Sequence, residues 1–271
     1  MSAVAARLPD GRRLHLQHGP IDLIVEADAG HREAAYARAS ARFATVLDEL
    51  VAELPVLRQP AGTGVLRGPV ARRMEAACLP HLPVFVTPMA AVAGAVADEI
   101  LAAMAGVTGL EKAWVNDGGD IALHLTGAER FTAAMAGGRV EISAADPWRG
   151  VATSGWRGRS HSLGIADAVT VIAGTAAAAD VAATLIANAV DLPGHPGIAR
   201  RPACELAPDS DLGARPVTVG VGRLSPGEVA EALVRGLAVA EEMRAGGLIG
   251  AAFLALNDQT CATALKELNH A

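Results

Sequence analysis

Three groups of polar residues in the central part of the chain have side-chain types and spacings that suit chemistry. The first is the segment 116–120, in which a glycine pair lies between two predicted strands. Its members are Asn116, Asp117, Gly118, Gly119 and Asp120. A tight turn explains the glycines, since glycine adopts positive φ at little cost. The flanking side chains suggest a ligand loop, because such a turn exposes N–H groups and its carboxylates could bind sugar hydroxyls or a cation.

The second group is a hydroxyl pair with a glycine, followed by a basic loop. The group comprises Thr153, Ser154 and Gly155, and the loop contains Arg157 and His161. Hydroxyl and backbone donors next to a guanidinium suit a phosphate. An imidazole titrates near neutral pH, so His161 could act as a general base. The alternative is a solvated surface loop in which His161 is merely exposed.

The third group is Asp180 and Thr184, which are four residues apart in a predicted helix and so share one of its faces. A carboxylate and a hydroxyl are hard oxygen ligands that suit Mg²⁺, which takes few ligands from protein. The alternative places Asp180 near the helix N-terminus for the helix dipole, with Thr184 packed against the preceding turn.

The predicted elements around these groups place them at the ends of strands and helices. Residues 168–173 are apolar and rich in β-branched side chains, which is typical of a buried strand. Thr175 is a suitable N-cap for the Ala-rich helix that follows over 176–189. Strands over 112–115 and 121–125 flank the glycine pair.

A further helix is predicted from Thr87 and Pro88, which have the form of an N-cap and a first helical position, to about Ala105. Ala and Gly, including Gly94, line this helix. Small residues allow tight packing of the helix on a sheet, and they also let another backbone or a ligand approach closely.

Hydrophobic periodicity and turn signals predict the remaining elements. Pro55 is expected to stop the first long helix, and Ser225 and Glu228 form a capping box with Pro226 at the first position. The predicted strands are 12–17, 21–27, 84–86, 139–143, 217–221 and 248–256. The predicted helices are 32–53, 70–77 and 226–244, and residues 191–216 are predicted to form a long loop.

Composition restricts the class of protein. The chain has 271 residues, of which 51% are apolar and 19% charged, which favours a compact fold over disorder. A formal net charge of −6 and an aromatic content of 3% give no basis for nucleic-acid binding. We expect an α+β fold of mixed sheets with helices packed on them, organised as one domain over residues 1–271. Its Ala-rich helices and apolar C-terminal strand would also suit a homodimer interface.

The cysteines and the N-terminal segment bear on the compartment. Cys78, Cys204 and Cys261 are odd in number and far apart, so we expect free thiols in a reducing environment. The first twenty residues have no apolar core typical of a signal peptide, and no run of about twenty apolar residues suggests a membrane span. The expected location is the cytoplasm, without membrane association.

In this order the motifs resemble the ApbE family of FAD:protein FMN transferases over residues 85 to 190. Gly94 and Asp98 match a helix glycine with a following Asp. The segment 116–121 matches Asn-x-Gly-Gly-Asp/Asn-Ile, and 152–155 matches Ala-Thr-Ser-Gly before a basic loop. The segments 169–171 and 179–185 match Val-Thr-Val and Ala-Asp-x-x-x-Thr-Ala/Leu. The pattern is closest to a shorter, uncharacterised branch of the family.

The resemblance implies an ApbE-like fold of two intimately joined α/β halves and a Mg²⁺-assisted reaction on FAD. Asp180 and Thr184 would hold the metal, with a backbone carbonyl from residues 90–94, and the metal would neutralise charge on the pyrophosphate. Gly94 and the first two polar groups would bind the flavin nucleotide. His161 would activate a threonine hydroxyl of an acceptor protein, giving FMN-protein and AMP, and some relatives instead hydrolyse FAD to FMN and AMP.

The chain departs from the family pattern after the basic loop. The family usually carries His-x-x-Asp-Pro-x-Thr-Gly, whereas the segment 161–167 reads His-Ser-Leu-Gly-Ile-Ala-Asp, and the Lys that usually precedes the helix glycine is Ala93. Two alternatives therefore stay open. One is a non-catalytic flavin or nucleotide binder. The other is an enzyme of cofactor or one-carbon metabolism that uses a different small ligand on the same fold.

Overall fold

A computed structural model describes residues 2–135 and 138–263. Their contacts group into two compact units. The first unit comprises residues within 1–133, 140–152 and 174–181, and the second those within 134–139, 153–173 and 182–271. Both contain sheets with helices packed on them, so the predicted α+β class is confirmed. The single ApbE-like domain over 1–271 stays a prediction.

The elements are numbered in chain order. The strands are β1 (Val4–Arg7), β2 (Leu14–His18), β3 (Ile21–Ala27), β4 (Lys112–Asp117), β5 (Asp120–Leu125), β6 (Arg130–Met135), β7 (Gly138–Ser143), β8 (Gly150–Ser154), β9 (Ala168–Ala173), β10 (Ile198–Pro202), β11 (Pro216–Val221), β12 (Ile249–Leu256) and β13 (Gln259–Ala262). The helices are α1 (Arg32–Leu57), α2 (Pro69–Cys78), α3 (Val92–Ala105), α4 (Ala176–Ala189), α5 (Ala203–Leu206) and α6 (Pro226–Ala245).

The first unit is built on antiparallel strands in the order β1-β2-β3-β4-β5-β8. Alternate side chains are buried along β3 and β4, as expected where one sheet face is covered. Helices α1 and α3 pack on this sheet and on each other. The buried face of β4 includes Val115 and ends at Asp117, so the strand delivers a carboxylate to the edge of the core.

Helix α1 continues past Pro55 to Leu57, so the prediction that Pro55 stops it is wrong. Proline removes one backbone donor, but here the loss falls in the last turn of a long helix. Leu57 is fully buried, and the N–H groups of Arg58 and Gln59 close the end on the carbonyls of Leu54 and Val56. Packing of the last apolar residue therefore outweighs the missing hydrogen bond.

The segment 84–86 is not a strand, contrary to the prediction. Pro83 precedes it and Pro88 follows Thr87, and proline cannot donate to a sheet ladder. The Val84 N–H donates to the His81 carbonyl at 3.0 Å, and the Val86 carbonyl accepts the Ala61 N–H at 2.9 Å. Pro88 begins a 3₁₀ turn that leads into α3, and the Thr87 side chain does not cap it.

Among the described residues, one stretch, Pro88–Ala105, is long and apolar enough to cross a membrane by length and composition, and half of it is buried inside the protein. Its helical part, α3, contacts β4, β5, α1 and α2. A core helix of a folded protein passes the same test, and these contacts identify α3 as the central helix of the first unit.

The second unit contains the antiparallel strands β9, β12 and β13, with α6 packed on β12 and β13. The predicted loop at 191–216 is only partly a loop. It contains β10, which pairs with β11, and the short helix α5. Two arginines and a proline in β10 hide the strand signal, and pairing with β11 supplies the order that local sequence does not.

The predicted capping box at the start of α6 is confirmed. Ser225 Oγ accepts the Glu228 N–H at 3.4 Å, and Glu228 Oε2 accepts the Ser225 N–H at 2.6 Å. The Glu228 carboxylate also contacts His195 Nε2 at 2.9 Å. These hydrogen bonds, led by the one from the Ser225 backbone, lower the pKa of Glu228 to about 2.

Ser225→Ala is expected to lower the free energy of unfolding by about 1 kcal/mol, since it removes the side-chain acceptor at the N-cap. Ser225→Thr keeps the hydroxyl, which accepts the Glu228 N–H and donates to the Glu228 carboxylate, and is the matched control, so it should stay close to the wild type. Urea unfolding followed by circular dichroism measures both variants. Equal losses in the two variants would contradict a capping role for Ser225.

Candidate functional site

The glycine pair forms the tight turn between β4 and β5 and aligns two carboxylates. Gly118 and Gly119 have φ values of 62° and 119°, which glycine alone adopts without strain. Asn116 Oδ1 accepts the Gly119 N–H at 2.8 Å and holds the turn. Asp117 and Asp120 are register partners across it, and both are buried, with 5% and 9% of their surface exposed. The turn therefore sets two buried carboxylates side by side.

A third carboxylate belongs to the same place. Asp180, in the first half of α4, accepts the Gly94 N–H at 3.1 Å and also the N–H of Ala93. Burial and then the charge of Asp120 raise the pKa of Asp180 well above its usual value, with a further contribution from Asp117, against the lowering effect of the Gly94 bond. We call Asp117, Asp120 and Asp180 the acidic cluster.

Two glycines let other backbones reach the first turn of α4. A Cβ on Gly94 would lie 2.3 Å from the Ala176 carbonyl oxygen, and one on Gly150 would lie 2.1 Å from the Thr175 carbonyl. Real Cβ atoms do not approach backbone so closely, so both positions require glycine. The small residues of α3 could admit either another backbone or a ligand. At Gly94 the close neighbour is the backbone of another helix.

Polar side chains fix the same end of α4. Thr175 Oγ1 accepts the Ala178 N–H at 3.1 Å, as expected for the predicted N-cap. Asp98 on α3 accepts the N–H groups of Ala176 and Ala177 at 3.0 and 2.9 Å. Burial raises the pKa of Asp98, although these bonds oppose the rise. These hydrogen bonds hold the first turn of α4 in place, and Asp180 lies one turn further along the same helix.

The acidic cluster has the donor chemistry of a hard cation site. Carboxylate oxygens are the ligands that Mg²⁺ prefers, and this ion commonly keeps several waters and only one or two protein ligands. Within residues 2–135 and 138–263, no group of three or more His, Cys, Asp or Glu side chains has the spacing of a metal site. The arrangement therefore fits a cation held by few protein atoms better than a closed coordination shell.

Thr184, the predicted partner of Asp180, lies one turn further along α4, is half-buried and belongs to the second unit. Cys78 lies near Asp180 in the first unit. Burial, Asp180 and Glu75 raise the pKa of its thiol to about 12, so it stays protonated at neutral pH. The thiol lies 3.4 Å from the Thr87 carbonyl, as befits a packed core residue. The three cysteines are free, as predicted.

In the second unit, the predicted hydroxyl pair lies at the end of a strand. Thr153 and Ser154 are the last residues of β8. The hydroxyls of Thr153 and Thr170 lie 2.9 Å apart, which links β8 to β9. A Cβ on Gly155 would lie 2.4 Å from the Asp167 carbonyl oxygen, so this glycine also marks a close backbone approach.

The basic loop is organised by Asp167. Its Oδ1 accepts bonds from Arg157 Nε at 2.7 Å and Trp156 Nε1 at 3.2 Å, and its Oδ2 accepts the Asn257 N–H at 2.6 Å. The Arg157 guanidinium also lies 4.7 Å from the Trp156 ring centroid. Arg157 is therefore already paired, while His161 is exposed on the same loop.

Sequence reasoning did not assign the roles of Asp98, Gly150 and Asp167. A signal existed for Asp98, an acidic residue in an Ala-rich helix four residues after Gly94. No local signal marks Gly150 or Asp167, because their partners are remote in sequence.

Comparison with known proteins identifies the family. The family model described as "AbpE bacteria" matches residues 5–262. The chain therefore belongs to this family, and the predicted relationship to ApbE proteins is confirmed. A UPF0280 protein of Methanothrix thermoacetophila is 40% identical over 129 residues, covering 45% of this chain and 52% of that protein. The match thus spans about half the length of this curated relative.

Two solved structures cover nearly the whole chain at low identity. The apo flavinyl transferase ApbE of Pseudomonas stutzeri is 13% identical with a TM-score of 0.49, covering 98% of this chain and 96% of that one. A mutant of the flavin transferase ApbE of Vibrio cholerae is 15% identical with a TM-score of 0.44, covering 98% of both chains.

Asp180→Asn is expected to raise the melting temperature by about 2–4 °C in EDTA near pH 8. Asparagine keeps an acceptor for the Gly94 N–H but carries no charge against Asp120. The pKa of Asp180 is raised on folding, so its stabilising contribution is complete below about pH 4 and is lost as the pH rises through the folded-state pKa. The gain should therefore grow as the pH rises above about 4.

Thermal unfolding at several pH values tests this expectation, with Asp48→Asn on the exposed side of α1 as the control. The control should show no gain that depends on pH. A pH-independent loss of stability in Asp180→Asn would show that repulsion within the acidic cluster is not the dominant effect.

Proposed function

We propose that this protein is a Mg²⁺-dependent, flavin transferase-like enzyme that binds FAD or a related dinucleotide and cleaves or transfers across its pyrophosphate. The observation that carries the proposal is the acidic cluster beside the Gly-Gly turn and the fixed N-terminal end of α4, in a chain of the AbpE family. Strongly raised carboxyl pKa values are characteristic of functional sites. The names of the solved relatives supply the flavin as the candidate substrate.

The residues proposed to hold the metal and the ribose lie in the first unit, except for Thr184. Asp180 would hold Mg²⁺ together with Thr184, and the ion would neutralise charge on the pyrophosphate when bound. The turn at 116–120 would contact the ribose hydroxyls of the nucleotide. The Gly94 N–H donates to Asp180, so the α3 backbone lies close to this carboxylate. A backbone carbonyl from residues 90–94 would be a further ligand of the metal.

The second unit supplies the remaining proposed groups. Thr153, Ser154, Gly155 and Arg157 would contact the nucleotide, and His161 is the candidate general base. An exposed imidazole is accessible to an incoming acceptor hydroxyl. Arg157 can contribute to a phosphate only by sharing or leaving its ion pair with Asp167.

The proposed reaction balances with either acceptor. The oxygen of an acceptor-protein threonine forms a bond to the phosphorus on the FMN side, and the bond from that phosphorus to the bridging oxygen breaks. AMP leaves with the bridging oxygen, and the hydroxyl proton passes to His161 and then to solvent. Water in place of the threonine gives FMN and AMP.

The second candidate is a flavin or nucleotide binder without turnover. It is favoured by the ion pair between Arg157 and Asp167, because both side chains are engaged in holding the loop. The family usually carries Asp-Pro-x-Thr-Gly in this part of the sequence. Under either candidate, we propose that the protein acts in the cytoplasm without membrane association. We also propose that the protein forms a homodimer.

FAD with Mg²⁺ is expected to raise the melting temperature of the wild-type protein more than FAD with EDTA, because a ligand that binds only the folded state stabilises it. Chromatography of the same samples should show AMP. FMN and AMP alone serve as ligand controls. Stabilisation without AMP would favour the binder, and no stabilisation by FAD would point to a different ligand on this fold.

Asp180→Ala and Thr184→Ala should each lower the rate of AMP formation by about a hundredfold or more, and should remove the Mg²⁺ dependence of FAD binding. Asp48→Ala, which removes an exposed carboxylate of α1, should leave both unchanged. His161→Ala should lower turnover while sparing FAD binding. Unchanged Mg²⁺-dependent binding in Asp180→Ala would overturn the metal assignment.

A further inference from the structure

A cavity of about 440 Å³ lies in the first unit, between the end of β3, the loop into α1 and the start of β4. Its charged and aromatic lining residues are Arg12, Glu26, Asp28, Arg32, Lys112 and Trp114. A volume of this order is typical of a small-molecule site. Three cations and two carboxylates meet here, so the lining has an excess of positive charge.

Most charges in the cavity are already paired. Arg12 forms an ion pair with Glu26 at 2.6 Å, and Glu26 is largely buried in that pair. Lys112 Nζ lies 3.1 Å from a carboxylate oxygen of Glu129, outside the cavity lining. These two cations therefore have partners that do not depend on a ligand.

Asp28 is engaged with the backbone and with a histidine. Its Oδ1 accepts the His31 N–H at 3.1 Å and contacts His31 Nδ1 at 2.7 Å, while its Oδ2 accepts the Glu111 N–H at 3.0 Å. These bonds lower the pKa of Asp28 despite its burial. The carboxylate thus ties the loop before α1 to the loop before β4 and forms one wall of the cavity.

Arg32 is the cation that remains. Its Nε is buried, and no acceptor lies within hydrogen-bonding distance of it anywhere in the part of the chain that the structure describes. A buried donor without an acceptor costs about 1–3 kcal/mol. Arg32 is the first residue of α1, so its backbone position is fixed by a long packed helix.

Trp114 supplies the apolar wall. It is the register partner of Glu26 across β3 and β4, and its ring centroid lies 6.2 Å from that of Phe131. The indole is half-exposed while backed by this second ring. An aromatic surface next to a guanidinium is suited to a flat ligand that carries an anionic group.

We propose that this cavity binds a small planar organic anion of the aromatic carboxylate class. The carboxylate would pair with the Arg32 guanidinium, which has no acidic partner among the described residues, and the ring would lie against Trp114. A bidentate carboxylate matches the planar guanidinium fork. The ring distinguishes this ligand from a simple inorganic anion.

This site is distinct from the acidic cluster. Lys112 and Trp114 lie on one face of β4, whereas Asp117 lies on the opposite face, because successive strand residues alternate. The inference therefore goes beyond the proposed flavin reaction, and the two can fail independently.

The test measures the binding of benzoate to the full chain by isothermal titration calorimetry. Acetate lacks the ring, benzyl alcohol lacks the charge, and inorganic phosphate is an anion without a flat face. Benzoate is expected to bind with a dissociation constant on the order of 1 mM, as fits a fragment of this size. The other three compounds should bind at least about tenfold more weakly.

Arg32→Gln should weaken benzoate binding by about tenfold or more. Arg38→Gln, an exposed arginine on the same helix, is the matched control and should bind as the wild type does. Trp114→Leu should also weaken benzoate, and Asp180→Ala should leave it unchanged. Circular dichroism checks the fold, and Arg32→Lys, which keeps a charge without Nε, gives a second readout with an intermediate loss.

Undiminished benzoate binding in correctly folded Arg32→Gln would overturn the proposal. So would equal affinities for benzoate and phosphate, or no benzoate binding by the wild type well above the expected dissociation constant. Loss of benzoate binding in Asp180→Ala would show that the two sites are not separate and would equally overturn it.

Discussion

The close approach of two backbones to the first turn of α4 is the constraint on which the candidate site depends. Gly94 and Gly150 leave no room for a Cβ, with Ala176 and Thr175 about 2 Å from where it would lie. This approach lets Asp98 reach the first N–H groups of α4 and lets the Gly94 N–H reach Asp180. A side chain at either glycine would push α4 away and take Asp180 from its partners.

That placement is electrostatically costly. Asp180 shares a poorly solvated space with Asp120 and Asp117, and repulsion together with burial raises the pKa of Asp180. Two neutral backbone donors offset only part of this cost. The proposed cation would offset this repulsion, which is why the first unit carries the functional proposal.

The sequence predicts the elements whose signals are local. The strand before Thr175, the helix after it, the glycine turn and the capping box at Ser225 have the predicted form, because capping and turn residues act within a few positions. The errors come from tertiary effects. Burial of Leu57 carries α1 past Pro55, and pairing orders β10 within a polar segment. The role of Asp167 depends on Asn257, ninety residues away, so no local pattern could show it.

The polar groups of the two units differ in whether they are paired within the protein. The proposed cation and anion sites follow from this difference. In the second unit, Arg157 and Asp167 form an ion pair with each other. In the first unit, β4 has repelling carboxylates on one face and an unsatisfied arginine near its other face. We propose that a cation would offset the repulsion at Asp180 and that an anion would pair with Arg32.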